Sequence, residues 1–96
     1  MHVISKKHLR EFWEAHPKAE TPLLTWYKLV SKTNYEGFSD LHKTFPSADM
    51  VDDYIVFNIG GNKYRLIAFI DFNRQKIYIR HVLTHPEYDR GHWKRN

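Results

Sequence analysis

Ile55-Val56-Phe57-Asn58-Ile59-Gly60-Gly61-Asn62-Lys63-Tyr64-Arg65-Leu66-Ile67-Ala68-Phe69-Ile70 is the stretch that decides the fold. From Tyr54 onward β-branched and aromatic residues dominate, and Gly60-Gly61 interrupts them with a pair that takes the positive φ angles of a tight turn at no steric cost. The pattern predicts a hairpin with strands over 55–59 and 63–72. Along the second strand Tyr64, Leu66, Ala68 and Ile70 share one face, while Lys63, Arg65, Ile67, Phe69 and Asp71 share the other. Asn73-Arg74-Gln75 makes the next turn, and 76–83 reads as a third long strand. On it Tyr78 and Arg80 face one way, and Ile77, Ile79 and His81 the other.

Upstream of the hairpin the period is helical. Residues 1–4 read as a short strand, and Ser5 is placed to cap a helix in which Leu9, Phe12, Trp13 and His16 recur at i, i+3, i+4, i+7. Pro17 ends it, because the residue before a proline is pushed out of the α region. Thr21-Pro22 reads as a second helix start, and Leu23, Trp26, Tyr27 and Val30 form the matching apolar face. The short connection predicts an antiparallel helix pair. Over 31–53 the pattern weakens: Asn34 and Gly37 read as loop, Ser39 as the cap of a short turn through Leu41 to Phe45, and Pro46 as its stop. Downstream, Thr84 and Glu87 stand at capping-box spacing and predict a last helical turn. The expected architecture is α+β, a single domain over 1–96 with a strand, two helices on one face of an antiparallel sheet, and a C-terminal meander.

Composition narrows the function classes. The chain has 96 residues and 11.6 kDa, with 42% hydrophobic and 27% charged residues, which excludes wholesale disorder. It has no cysteine, so disulfides, thiolate nucleophiles and thiolate metal sites are excluded, and a reducing cytoplasm suits it. No signal peptide or membrane-crossing run is legible. The net charge of +4 is unevenly placed. Residues 1–62 carry seven basic and eight acidic residues, whereas 63–96 carry eight basic (Lys63, Arg65, Arg74, Lys76, Arg80, Arg90, Lys94, Arg95) against three acidic. A one-sided basic field raises the local concentration of polyanions, which makes nucleic acid the leading partner class; an acidic protein would answer the same field.

If the helices cover the face of Tyr64, Leu66, Ala68 and Ile70, Lys63 and Arg65 project near each other on the open one, and antiparallel pairing brings the start of their strand beside the end of the next, near His85 and Tyr88. Cations, an imidazole and a phenol suit phosphodiester chemistry: arginine binds phosphate oxygens, histidine or lysine moves protons, and tyrosine stacks on a base. Each has a plain structural alternative. Arg65 reads equally as a solvated side chain or ion-pair partner, His85 as a loop histidine before Pro86, and Tyr88 as an aromatic closing the core. His81 shares a face with Ile77 and Ile79 and reads as a core residue. His81 and His85 have the i, i+4 spacing of helical zinc ligands, but the segment reads as strand then turn and lacks the intervening Glu, so no metal is expected. No Gly-rich phosphate loop or nucleophile elbow is present, and no cofactor is expected.

The run from Phe57 to Ala68, then Gln75-Lys76-Ile77-Tyr78-Ile79-Arg80, then Thr84-His85-Pro86-Glu87-Tyr88-Asp89 resembles the HigB-type toxins of the RelE superfamily. Thr44-Phe45-Pro46-Ser47-Ala48-Asp49 and the opening Met1-His2-Val3-Ile4-Ser5 extend the likeness over essentially the whole chain. The resemblance implies a RelE-like fold and a type II toxin, a metal-independent endoribonuclease that cuts mRNA on the ribosome and is neutralised by a HigA-type helix-turn-helix antitoxin. Its usual chemistry is attack of the RNA 2′-hydroxyl on the adjacent phosphate. Arg65 then resembles the strand arginine that contacts the scissile phosphate, and Lys63 a phosphate ligand or base. His85 stands where relatives carry a general acid or base, and Tyr88 where they carry a stacking or proton-donating group. Arg80, Lys94 and Arg90 are further RNA contacts. The alternative is a non-catalytic RNA- or ribosome-binding module regulated by a partner, or a domain whose basic face only docks an acidic antitoxin segment.

Overall fold

In the computed structural model, which describes residues 1–94, the chain begins with β1 (His2–Ile4), α1 (Lys6–Ala15) and a 3-10 turn (Pro17–Ala19). It continues through α2 (Glu20–Lys32), α3 (Phe38–Thr44), β2 (Asp49–Val51), β3 (Tyr54–Ile59) and β4 (Tyr64–Asp71). β5 (Lys76–Thr84), α4 (His85–Arg90) and a second 3-10 turn (His92–Lys94) complete it. Arg95, counted in the basic third above, lies outside the described residues.

The hairpin forms as its glycines require. Gly60 and Gly61 take φ of 62° and 69° between β3 and β4, with Phe57 opposite Leu66 and Ile59 opposite Tyr64. β5 pairs antiparallel with β4, and the strand order is β1-β5-β4-β3-β2. Two departures from the expected sheet follow. β1 pairs with β5 in parallel, so the sheet is mixed rather than antiparallel: the chain leaves β1 through the helices and returns beside it only at the last strand. The short edge strand β2, unmarked by any alternation in 49–51, pairs antiparallel with β3.

The helix boundaries are set by local chemistry. Ser5 accepts a hydrogen bond from the Lys7 amide at the start of α1, as its position predicts. Thr21 is not the cap of α2. The 3-10 turn that Pro17 initiates runs straight into the helix, so Glu20 is already helical and Ala19 is the capping position. Nor is Ser39 a cap: α3 starts after Gly37, and the Asp40 carboxylate accepts from the Glu36 amide just ahead of it.

One face of the sheet buries the main core. Leu9 of α1, Leu23, Trp26 and Val30 of α2 and Leu41 of α3 lie against Phe57, Leu66, Ala68 and Ile77. Phe57 receives Trp26 and Phe45 edge-on, at ring-centroid distances of 5.4 and 5.1 Å. The opposite face is half covered instead of open. There Val56 and Ile67 are buried under Trp93, with Tyr54, Leu83 and Tyr88 around it. No helix among the described residues is long and apolar enough to cross a membrane.

Thr84 and Glu87 form the expected capping box: the Thr84 hydroxyl accepts from the Glu87 amide, and the Glu87 carboxylate accepts from the Thr84 amide at 2.9 Å. Thr84→Ala is expected to cost about 1 kcal/mol, lowering the thermal midpoint by about 4–8 °C in a domain of this size. An unchanged midpoint in a circular-dichroism melt would show that α4 is held by its packing alone.

Candidate active site

The site is built from an irregularity in β5. Ile67 pairs with His81 but its neighbour Ala68 pairs with Ile79, so Arg80 is an extra residue bulged out of the ladder. The bulge shifts the alternation by one. Ile77 and Ile79 point into the main core, whereas His81 and Leu83 point to the other face. His81 is therefore not the core residue that strict alternation predicts; it is partly exposed on the face away from α2.

Beyond β5, Gly91 takes φ of 73° and turns the chain so that the final 3-10 turn folds back over the sheet. Trp93 stacks on Tyr88 with centroids 5.4 Å apart and planes 14° apart, and its indole Nε1 donates to the Tyr88 carbonyl at 3.2 Å. Arg65 completes this assembly. Only 7% exposed, its guanidinium donates to the Asn62 carbonyl, the Tyr64 carbonyl and Asn62 Oδ1 at 3.2, 3.1 and 2.6 Å, and lies 5.5 Å from the centre of the Tyr88 ring. All three acceptors are neutral, and among the described residues no carboxylate forms an ion pair with it.

Two clefts open beside this assembly and share His81 and Glu87. One, of about 290 Å³, is lined also by Leu83, Arg90, His92 and Trp93. The other, of about 360 Å³, reaches α1 through His8, Glu11, Phe12, Ala15 and His16, and Arg80 forms part of its wall. Burial holds the His81 imidazole below the usual histidine range, and the positive charges of Arg80 and His8 act in the same direction. The Thr84 amide holds the Glu87 carboxyl below the usual carboxylate range; desolvation opposes this, and the Thr84 hydroxyl, His16 and Arg90 add to it. The clefts therefore collect an imidazole biased toward its neutral form, a carboxylate and two arginines on their walls. Among the described residues no group of three or more His, Asp or Glu side chains is placed to hold a metal ion.

The residues singled out from the sequence fall into two groups. Arg65 and Tyr88 meet directly, and the Lys63 carbonyl accepts from the His85 amide at 2.9 Å, which ties the hairpin end to the start of α4. This end of the sheet is closed by Trp93, so Arg65 does not project freely beside Lys63 from an open face. His85 is paired through Nε2 with Asp89 at 3.1 Å and lines neither cleft. Arg80 and Arg90 do line the clefts, and Lys94 lies 5.5 Å from the Trp93 ring centre. Sequence reasoning read His81 as a core residue, His16 as part of a helix stripe and Glu87 only as a cap, and did not single out His8 or His92. The bulge leaves no mark in the run Ile77-Tyr78-Ile79-Arg80-His81-Val82, and His16 sits on an ordinary amphipathic stripe, where it stacks on Phe12 at 4.4 Å.

The chain is thus a small α+β domain with imidazoles, a carboxylate and cations around clefts at one end of its sheet. The family model for the RelE-like toxic component of a toxin-antitoxin system, the HigB toxin, matches residues 19–91. The chain is 39% identical over 92 residues to the "mRNA interferase toxin HigB" of Escherichia coli (strain K12), covering 93% of this chain and 88% of that protein. It is equally similar to the "mRNA interferase HigB" of Shigella flexneri, and 29% identical over 93 residues to that of Escherichia coli O6:H1, covering 94% and 90%. The chain belongs to the HigB toxin family.

Proposed function

We propose that this toxin is an mRNA interferase like its named relatives, and that it cleaves RNA in the clefts around His81 without a metal, on messages held by the ribosome in the cytoplasm. The observation that carries the site is the bulge at Arg80, which turns an imidazole biased toward its neutral form out beside Glu87 and two arginines. Neutral His81 takes the proton from the RNA 2′-hydroxyl. The oxygen attacks the adjacent phosphorus, the bond to the 5′-oxygen breaks, and the products are a 2′,3′-cyclic phosphate and a 5′-hydroxyl. Arg80 and Arg90 neutralise the charge that grows on the non-bridging oxygens. The buried guanidinium of Arg65 adds to the positive potential while it holds Tyr88 and, through Tyr88, Trp93. Lys63 and Lys94 bind flanking phosphates, and Tyr88 and Trp93 form one wall. His85, paired with Asp89 at the first residue of α4, lies outside both clefts and supplies the proton for the leaving oxygen where the RNA runs past Glu87 toward α4. The partner that silences the toxin is a HigA-type helix-turn-helix antitoxin.

Mapping RNA ends after induced expression tests the reaction. New 5′-hydroxyl ends on translated messages are the expected result, formed equally by toxin stripped with a chelator before it is added to a translating extract and by untreated toxin. Binding without new ends would support the non-catalytic RNA-binding alternative. His85→Gln separates acid from base: it should slow cleavage of ordinary RNA but spare a substrate with a sulfur leaving group at the 5′ position, which needs no proton.

The pH profile is a second test. His81 faces Arg80, His8 and His16, all cationic when protonated, and the carboxylates Glu11 and Glu87. Its lowered pKa extends the neutral form to a lower pH than in an ordinary histidine, so the acid limb of the cleavage rate should fall at a correspondingly lower pH. The same shift carries a sign for stability. The unfolded chain takes up this proton first, so stability declines as pH drops from 6.5 toward the folded pKa. Arg80→Gln removes one of the charges and should move the acid limb upward; an unmoved limb would contradict the assignment.

A further inference from the structure

We infer that Phe69 and Tyr78 form a base-stacking platform for the nucleotide next to the one cleaved. The inference rests on RNA cleavage at His81 and extends that site along the sheet. Phe69 lies in the middle of β4 with Ala68 and Ile70 buried on either side, yet it is 38% exposed. It stands opposite Tyr78 of β5, with ring centroids 6.3 Å apart and planes tilted by 40°. The apolar cluster under Trp93 covers this sheet face as far as Val56 and Ile67 and does not include the two rings. Ile67, two residues from Phe69 on the same face, pairs with His81, so the platform begins about 7 Å from the proposed base.

Continuity with the cleft and charge both favour a nucleotide as the occupant. Arg80 is bulged and exposed between Tyr78 and His81, and Lys76 and Arg74 lie toward the other end of the strand. Asp71, the acidic group on this part of the face, is engaged by Arg74 at 3.9 Å. Two aromatic rings flanked by cations bind a base on its π-face and the neighbouring phosphates at the rim. The patch is only two rings wide, small for a protein partner that must bury a continuous apolar surface.

The test compares Phe69→Leu, Tyr78→Leu and the ring-retaining Phe69→Tyr with the wild-type chain, by reporter-mRNA cleavage in a bacterial translation extract titrated with toxin. Each leucine variant should need about tenfold more toxin for the same rate, the scale of one lost base stack, while Phe69→Tyr stays within about twofold of wild type. Because leucine keeps the apolar contact across the strands, the thermal midpoints should stay close to that of wild type. Wild-type cleavage by both leucine variants would overturn the platform. So would variants that cleave normally but escape their antitoxin, which would assign the patch to a protein partner. Failure of the His81 reading is seen separately, as wild-type cleavage by His81→Gln.

Discussion

His81→Gln is expected to slow mRNA cleavage by about 10²–10⁴-fold, the range lost with a general base. Glutamine keeps a polar planar side chain of similar size but can neither take up nor pass on a proton near neutrality. The residue lies at the wall of two clefts and not in the main core, so the thermal midpoint should stay near wild type. His42→Gln is the control. That histidine lies on α3 beside Phe38, among neither set of cleft-lining residues, and its loss should leave the rate unchanged. If His81→Gln cleaves at the wild-type rate with its fold intact, proton removal belongs elsewhere, and His85 becomes the first group to test.

Arg65→Ala should act first on stability. The side chain makes three hydrogen bonds and a cation–π contact while almost fully buried. Truncation takes the guanidinium donor from the buried Tyr64 carbonyl and removes the support of the Tyr88 ring, on which Trp93 stacks. The expected cost is about 3 kcal/mol, or a fall of about 12–24 °C in thermal midpoint at the usual sensitivity of a domain this size. Arg65→Lys retains the charge but cannot reproduce the forked donation to Asn62 and Tyr64, so it should recover only part of the loss. Cleavage should fall with both variants, because the wall of the cleft is carried by Trp93. A wild-type melt for Arg65→Ala, with cleavage lost, would assign the guanidinium to the substrate instead of the fold, as the strand-face pattern alone suggests.

Much of the frame is legible in the chain because its signals are local. Gly60-Gly61 specifies the hairpin through two positive φ angles, and Thr84 with Glu87 specifies the last helix through reciprocal hydrogen bonds. The alternation groups Tyr64, Leu66, Ala68 and Ile70 on one face, and that face is the one the helices cover. What escapes a reading of the chain depends on partners distant in sequence. The parallel pairing of β1 with β5 joins residues more than seventy positions apart, as Val3 does with Ile77. Arg65 is buried because Trp93 folds back over a face that the strand pattern leaves open. The bulge at Arg80 has the largest consequence: one unpaired residue reverses the facing of His81, and a strict two-residue period cannot express it.

The most direct test is to locate the RNA on the protein. A message carrying photoreactive 4-thiouridine, with its 2′-hydroxyl blocked at the cut position, can be trapped with the toxin on translating ribosomes, crosslinked, and the protein digested for mass spectrometry. Crosslinks should fall in the segment from Tyr78 to Lys94, around His81. Crosslinks confined to the opposite face, on α2 and α3, would contradict a cleavage site at the end of β5.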